Sequence, residues 1–110
     1  MAKMNVIMKL EFEAVHNWPD CPFDDVSFLR NKHRHIFKVT CKAPVHHDDR
    51  DIEFIVYKRK IEQYLRSKYD KKDIGAMSCE MICNDLLLTF PELIYVCVEE
   101  DGENGAEVTR

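Results

Sequence analysis

His33-Arg34-His35-Ile36-Phe37-Lys38-Val39-Thr40-Cys41 is the stretch whose reading decides the fold. Side chains two apart on an extended strand share a face. On that reading His33, His35, Phe37, Val39 and Cys41 line one side of a strand over residues 33–43, with two imidazoles continuing an apolar stripe. An earlier run alternates in the same way. Val6, Met8, Leu10, Phe12 and Ala14 point one way and Lys9, Glu11 and Glu13 the other, which predicts a half-buried strand over 5–14 running on to His16. His16 has the parity of the apolar side. Two neighbouring antiparallel strands would bring His16, His33 and His35 together. Three neutral imidazoles with a further position left for water or substrate are the donor set of a catalytic zinc site. The same histidines on separate surfaces would be ordinary polar residues, so the reading depends on the two strands being neighbours.

The bulk numbers narrow the class. With 110 residues the chain has room for one two-layer core. Hydrophobic residues at 45% and charged residues at 33% are those of an ordinary globular domain. A net charge of -4 removes the basic field on which non-specific nucleic-acid binding depends, so nucleic acid is not expected as a partner. No apolar run is long enough to cross a membrane, and the first residues lack a signal-peptide pattern. Five cysteines without regular spacing do not make a disulfide framework, so reduced thiols and a cytoplasmic setting are expected.

Between the two strands, residues 17–32 carry Asn17, Pro19, Asp20, Pro22, Asp24 and Asp25 and read as a long loop, with Trp18, Phe23 and Phe28 as apolar anchors. Cys21 lies in it. After the second strand, Pro44–Arg50 reads as a polar tip in which His46-His47 is solvated, because adjacent strand residues face opposite ways. Asp51–Ile55 is expected as a third strand pairing back onto the second. From Val56 the period becomes helical, with Tyr57, Ile61, Tyr64 and Leu65 on one stripe. Residues 67–76 form a break. Ser78 is placed to cap a second helix with Glu80 in its first turn and Ile82, Cys83, Leu86, Leu87 and Phe90 buried, and Pro91 ends it. Cys79 and Cys83 share a face and are expected to pack as small hydrophobes. Leu93–Glu99 is a strand, Asp101–Gly105 a hairpin turn and Ala106–Arg110 a returning strand. The order gives an α+β domain: an antiparallel sheet of four to five strands with two helices on one face.

Five motifs then fall in line: Phe12-Glu13-Ala14-Val15-His16, His33-x-His35, Ile52-Glu53-Phe54 before the first helix, Met77-Ser78-Cys79-Glu80 at the second, and Val96-Cys97-Val98-Glu99-Glu100. In this order the chain resembles the 6-pyruvoyl-tetrahydropterin synthase and 6-carboxy-tetrahydropterin synthase family. The family's motifs run F-x-A-x-H, H-G-H, D-F, P-T-x-E and V-x-V-x-E-T. The resemblance covers residues 1–110 as a single domain. It implies the tunnelling fold, in which subunits of a homo-oligomer, a trimer or a hexamer of stacked trimers, close their sheets into a barrel with sites between subunits. It also implies Zn2+ held by His16, His33 and His35, and a pterin substrate anchored by Glu100, with Glu99 as the neighbouring alternative. A carboxylate has two acceptor oxygens, which suit the paired N–H donors of a 2-amino-4-oxo pterin edge.

The implied reaction is a zinc-dependent lyase step on 7,8-dihydroneopterin triphosphate with loss of triphosphate. Its alternative is a family member that binds a pterin- or purine-like ligand without turnover. Relatives place a cysteine just before the histidine pair, where this chain reads Phe28-Leu29-Arg30-Asn31-Lys32. Cys21 is therefore the candidate thiol. An Asp-His pair normally follows the first helix. Here Asp70 can supply the aspartate, and Lys71 stands in the histidine's place. Arg34 replaces the glycine between the zinc histidines.

Overall fold

The computed structural model describes residues 2–110. Two long strands, β1 (Met4–His16) and β2 (His33–Val45), pair antiparallel along their whole length. Their alternation is the expected one: Met8, Leu10, Phe12 and Ala14 of β1 and Phe37, Val39, Cys41 and Ala43 of β2 are buried on one face. β4 (Tyr95–Glu100) pairs with the other edge of β2 and adds Val96 and Val98 to that face, and β5 (Asn104–Thr109) pairs with β4. Helices α1 (Phe54–Lys68) and α2 (Cys79–Thr89) cover the apolar face with Tyr57, Ile61 and Leu65, and with Cys79, Ile82, Cys83, Leu86 and Leu87. The α+β class and the two-helix layer are therefore as expected. Among the described residues no helix is long and apolar enough to cross a membrane.

Two polar ties lock the helices. The Asp85 carboxylate of α2 accepts from the Tyr64 and Tyr69 hydroxyls and from Lys68 of α1 and its exit. Burial pushes its pKa up, but these donors outweigh it and hold the carboxyl below its usual range. The Arg110 guanidinium donates to the Leu87 carbonyl, an acceptor that the end of α2 leaves open, and to the Leu93 carbonyl in the turn that follows.

The structure corrects the expectation of a strand over Asp51–Ile55. That stretch has no strand partner, and α1 begins at Phe54. The reason is local. The Glu53 carboxylate accepts the Ile55 and Val56 N–H groups and caps the helix, while Asp51 accepts the His46 N–H and folds the tip back. The fifth strand is instead β3 (Lys72–Asp73), inside the expected break, and it runs parallel to β1. The sheet order is β3-β1-β2-β4-β5.

The loop after β1 also differs. Asp24–Arg30 forms a 3-10 helix, and Trp18, Phe23 and Phe28 are about half exposed, so they are not its anchors. Hydrogen bonds close it: Trp18 N–H to the Leu29 carbonyl (2.7 Å), Asn17 Nδ2 to the Arg30 carbonyl (3.0 Å) and Arg30 Nε to the Cys21 carbonyl (2.8 Å). Cys21 is the buried residue of this loop.

Candidate metal centre

Register converts the parity of the histidines into a cluster. His16 stands opposite His33, and Ala14 opposite His35, so the three imidazoles meet at the end of the β1–β2 ladder, on the core face. Glu100, the last residue of β4, stands opposite Phe37 of β2 and shares that face. Ring centroids lie 4.6 Å apart for His16 and His33, 5.3 Å for His16 and His35, and 5.0 Å for His33 and His35. One ligand atom from each falls within 4.8 Å of the others. Small ring rotations from that spacing reach the ~3.4 Å between donors that Zn–N bonds of about 2.1 Å require in a tetrahedral shell.

Each ring is oriented through Nδ1. His16 Nδ1 lies 2.8 Å from the Met77 carbonyl, His33 Nδ1 2.8 Å from the Asn31 carbonyl and His35 Nδ1 2.6 Å from Asp101 Oδ2. All three partners are acceptors, so each neutral ring carries its proton on Nδ1 and presents a bare Nε2. This is the outer-shell pattern that fixes tautomer and direction in metal-binding histidines.

The bare nitrogens face a carboxylate. Glu100 Oε2 is 2.9 Å from His16 Nε2, and Oε1 is 3.6 Å from His35 Nε2. The shorter approach lies outside hydrogen-bonding geometry, and buried His16 Nε2 has no hydrogen-bond partner. A buried polar atom without a partner is costly. A bare Nε2 facing a carboxylate at this distance repels it unless a proton or a metal ion lies between them. The donor set, three imidazoles beside a carboxylate, fits zinc.

A cavity of about 270 Å³ opens beside the cluster, lined by His16, His33 and Glu100 together with Trp18, Cys79 and Glu80 among others. Glu99, the alternative to Glu100, is on the opposite face, in a groove with Lys9, Glu11 and Lys38. Cys21 and Asp70 do not line the cavity. The Cys21 thiol points to the Phe23 and Val26 carbonyls, at 3.8 Å each. Asp70 Oδ1 accepts the Glu13 N–H at 3.0 Å and continues the edge of β1. The thiol that does line the cavity is Cys79, whose pKa is pushed up to about 12 by burial and then by Glu100. Cys79 and Cys83 are buried in the core, as their spacing suggested.

Asp101 is the site residue that sequence reasoning took only for a turn former. It has φ 57° and Gly102 φ 73° in the three-residue β4–β5 turn, which the Glu103 N–H to Glu100 carbonyl bond closes. Its Oδ1 accepts the Ile36 N–H at 2.9 Å while Oδ2 takes His35. The Ile36 N–H first, and His35 second, hold its pKa below the usual carboxylate range. The signal was available as an acidic residue directly after Glu100. Asn tolerates the same left-handed backbone, so Asp101→Asn isolates the charge. It is expected to weaken zinc binding about 10- to 100-fold, the usual cost of an outer-shell change, with little effect on folding. Competition with a chelator of known affinity measures this, and unchanged affinity would remove Asp101 from the centre.

No family model matches the chain, and no curated protein does. Among solved structures it is similar over its full length to an uncharacterized protein of Wolinella succinogenes. There the identity is 12%, the TM-score 0.81, and 99% of that chain is covered. It is also similar to the 6-pyruvoyl tetrahydropterin synthase of Caenorhabditis elegans, at 13% identity and TM-score 0.77, covering 100% of this chain and 97% of that one. At such identities the likeness establishes the fold.

Proposed function

We propose that this chain is a metal-dependent pterin protein in which His16, His33 and His35 hold zinc and Glu100 receives the pterin ring. The observation that carries this reading is the buried, partnerless Nε2 of His16 facing the Glu100 carboxylate, in a fold shared with a pterin synthase. Zinc, when bound, supplies a Lewis acid for side-chain hydroxyls of the ligand. Glu100 supplies two acceptor oxygens at the cavity wall, enough for a bidentate grip on adjacent N–H donors. The α2 N-terminus at Ser78–Glu80 closes the other side.

The lyase reaction that the resemblance implies, loss of triphosphate from 7,8-dihydroneopterin triphosphate, needs a base facing the ligand side chain. Cys21 and Asp70 are the residues proposed for that proton transfer, with Asp70 reaching in from another subunit of a homo-oligomer. Within one subunit the Cys21 thiol and the Asp70 carboxylate are both turned to backbone groups. That geometry favours the second reading, binding of a pterin without turnover.

The test uses zinc-loaded protein. Pterin fluorescence titration should show saturable binding. Glu100→Gln should weaken it tenfold or more, since a hydrogen bond to a charged group is worth about 1.5–3 kcal/mol. No triphosphate should be released from 7,8-dihydroneopterin triphosphate. Release that Cys21→Ala abolishes would reinstate the lyase. Absence of pterin binding by the zinc-loaded protein would end the proposal.

A further inference from the structure

We infer that Trp18 is the platform on which the flat ring of the ligand stacks, so that the site selects planar pterins over puckered ones. The inference rests on the pterin reading and deepens it by naming what holds the face of the ring. Hydrogen bonds from a carboxylate along one edge of a ring set its direction within its own plane. They leave the ring free to tilt about that edge, and only a surface against its face fixes the plane. Trp18 and Glu100 line the same cavity, and of the side chains there Trp18 offers the broadest flat surface.

The indole is carried on a fixed backbone. Two residues past His16 the chain leaves β1 and is held on both sides. The Asn17 N–H donates to the Gly75 carbonyl at 3.0 Å and the Trp18 N–H to the Leu29 carbonyl at 2.7 Å. The Trp18 carbonyl accepts the Cys21 N–H at 3.2 Å. Pro19 follows and disfavours helical backbone at Trp18. A platform set before the ligand arrives lowers the ordering cost of binding.

The face of the ring is open. Tryptophan is well buried on average, yet Trp18 is 44% exposed. Its aromatic neighbour Phe23 lies 6.0 Å away between centroids with the planes 63° apart, an edge contact and not a stack. Such a contact occupies at most one face of the indole and leaves the other for a ligand.

The chemistry of pterins turns this into selectivity. An oxidised pterin is planar and aromatic. In the 7,8-dihydro form one ring carbon is tetrahedral, and in the tetrahydro form two adjacent ones are, so that ring puckers. All three present the same 2-amino-4-oxo edge to Glu100. Contact along the edge does not tell them apart, and stacking does. Stacking of a base on an aromatic side chain is worth roughly 5- to 140-fold in affinity.

The experiment titrates neopterin and 5,6,7,8-tetrahydroneopterin, without oxygen, into the zinc-loaded full chain by calorimetry. It is run on wild type, Trp18→Phe, Trp18→Leu and Trp18→Ala. Wild type should bind the planar ring about tenfold or more tightly than the puckered one. Trp18→Phe should retain most of that ratio. Trp18→Leu and Trp18→Ala should bring it close to one, chiefly by weakening the planar ligand. Because Trp18→Leu keeps apolar bulk and removes only the π face, its loss identifies stacking. Equal binding of the two pterins by wild type, or a ratio unchanged in Trp18→Leu and Trp18→Ala, overturns the inference and leaves the pterin reading standing. If those variants keep the ratio but lose assembly mass by light scattering, the indole covers a neighbouring subunit instead, and the inference falls. Binding of neither pterin by wild type overturns both.

Discussion

His16→Ala is expected to abolish metal binding and to cost stability as well. It deletes one of three donors, and an ion left on two imidazoles of an open site has no closed shell to hold it. Zinc per chain should fall from near one to below about a tenth, on the scale of which a lost outer-shell partner alone costs 10- to 100-fold. His16 is also nine-tenths buried, and its Nδ1 serves the Met77 carbonyl. Truncation leaves that acceptor unpaired and a hole between β1 and the start of α2, a further cost of about 1–3 kcal/mol. His33→Ala separates the two effects, because His33 is only half-buried. Both variants should lose zinc, and only His16→Ala should unfold markedly earlier in the metal-free state. Metal analysis and thermal unfolding with and without chelator read this directly. Wild-type protein at a thousandfold excess of zinc over its Kd should gain about 4 kcal/mol, an increment absent from both variants. Full metal content in both would end the zinc assignment.

Gly105→Ala should destabilise the fold more than any other single methyl added at a glycine. A Cβ there would lie 2.0 Å from the Val98 carbonyl oxygen, 2.6 Å from Glu99 Cα and 2.8 Å from the Val98 carbonyl carbon. All are backbone atoms of β4, held in pairing with both β2 and β5, so none can swing aside. Relief requires parting β5 from β4. The expected loss is about 3 kcal/mol or more, the upper range for overpacking, and a melting temperature lower by roughly 10 °C or more for a domain of this size. Gly105 also lines the cavity, next to the strand end that carries Glu100. Pterin binding should therefore fall with stability in any fraction that folds. Gly75→Ala is the comparison. A Cβ there meets nothing within 4 Å, and only its φ of 65° resists, at about 1–2 kcal/mol. Melting temperatures ranked the other way would show that the β4–β5 contact yields.

Much of the centre was legible before any coordinates. The parity of His16 with Leu10, Phe12 and Ala14, and of His33 and His35 with Phe37 and Val39, is a property of each strand alone. What surrounds the histidines was not legible. The Met77 and Asn31 carbonyls that orient His16 and His33 are backbone atoms and carry no residue signature. Asp101 has one, but its reach to His35 depends on β4 pairing with β2. The strand expected over Asp51–Ile55 gives way to the start of α1. A single side chain, Glu53, decided the matter by capping α1. Trp18, Phe23 and Phe28 misled in another way. Apolar character promised burial, and the loop was closed by backbone hydrogen bonds instead.

The sequence by itself determined which residues share a face and where the two α-helices lie. It could do so because the periods of strand and helix are local geometry. Only the tertiary structure decided that His16 stands opposite His33, that Glu100 faces their bare nitrogens and that Cys21 turns away. Those outcomes rest on hydrogen bonds between segments tens of residues apart, whose register no single segment encodes.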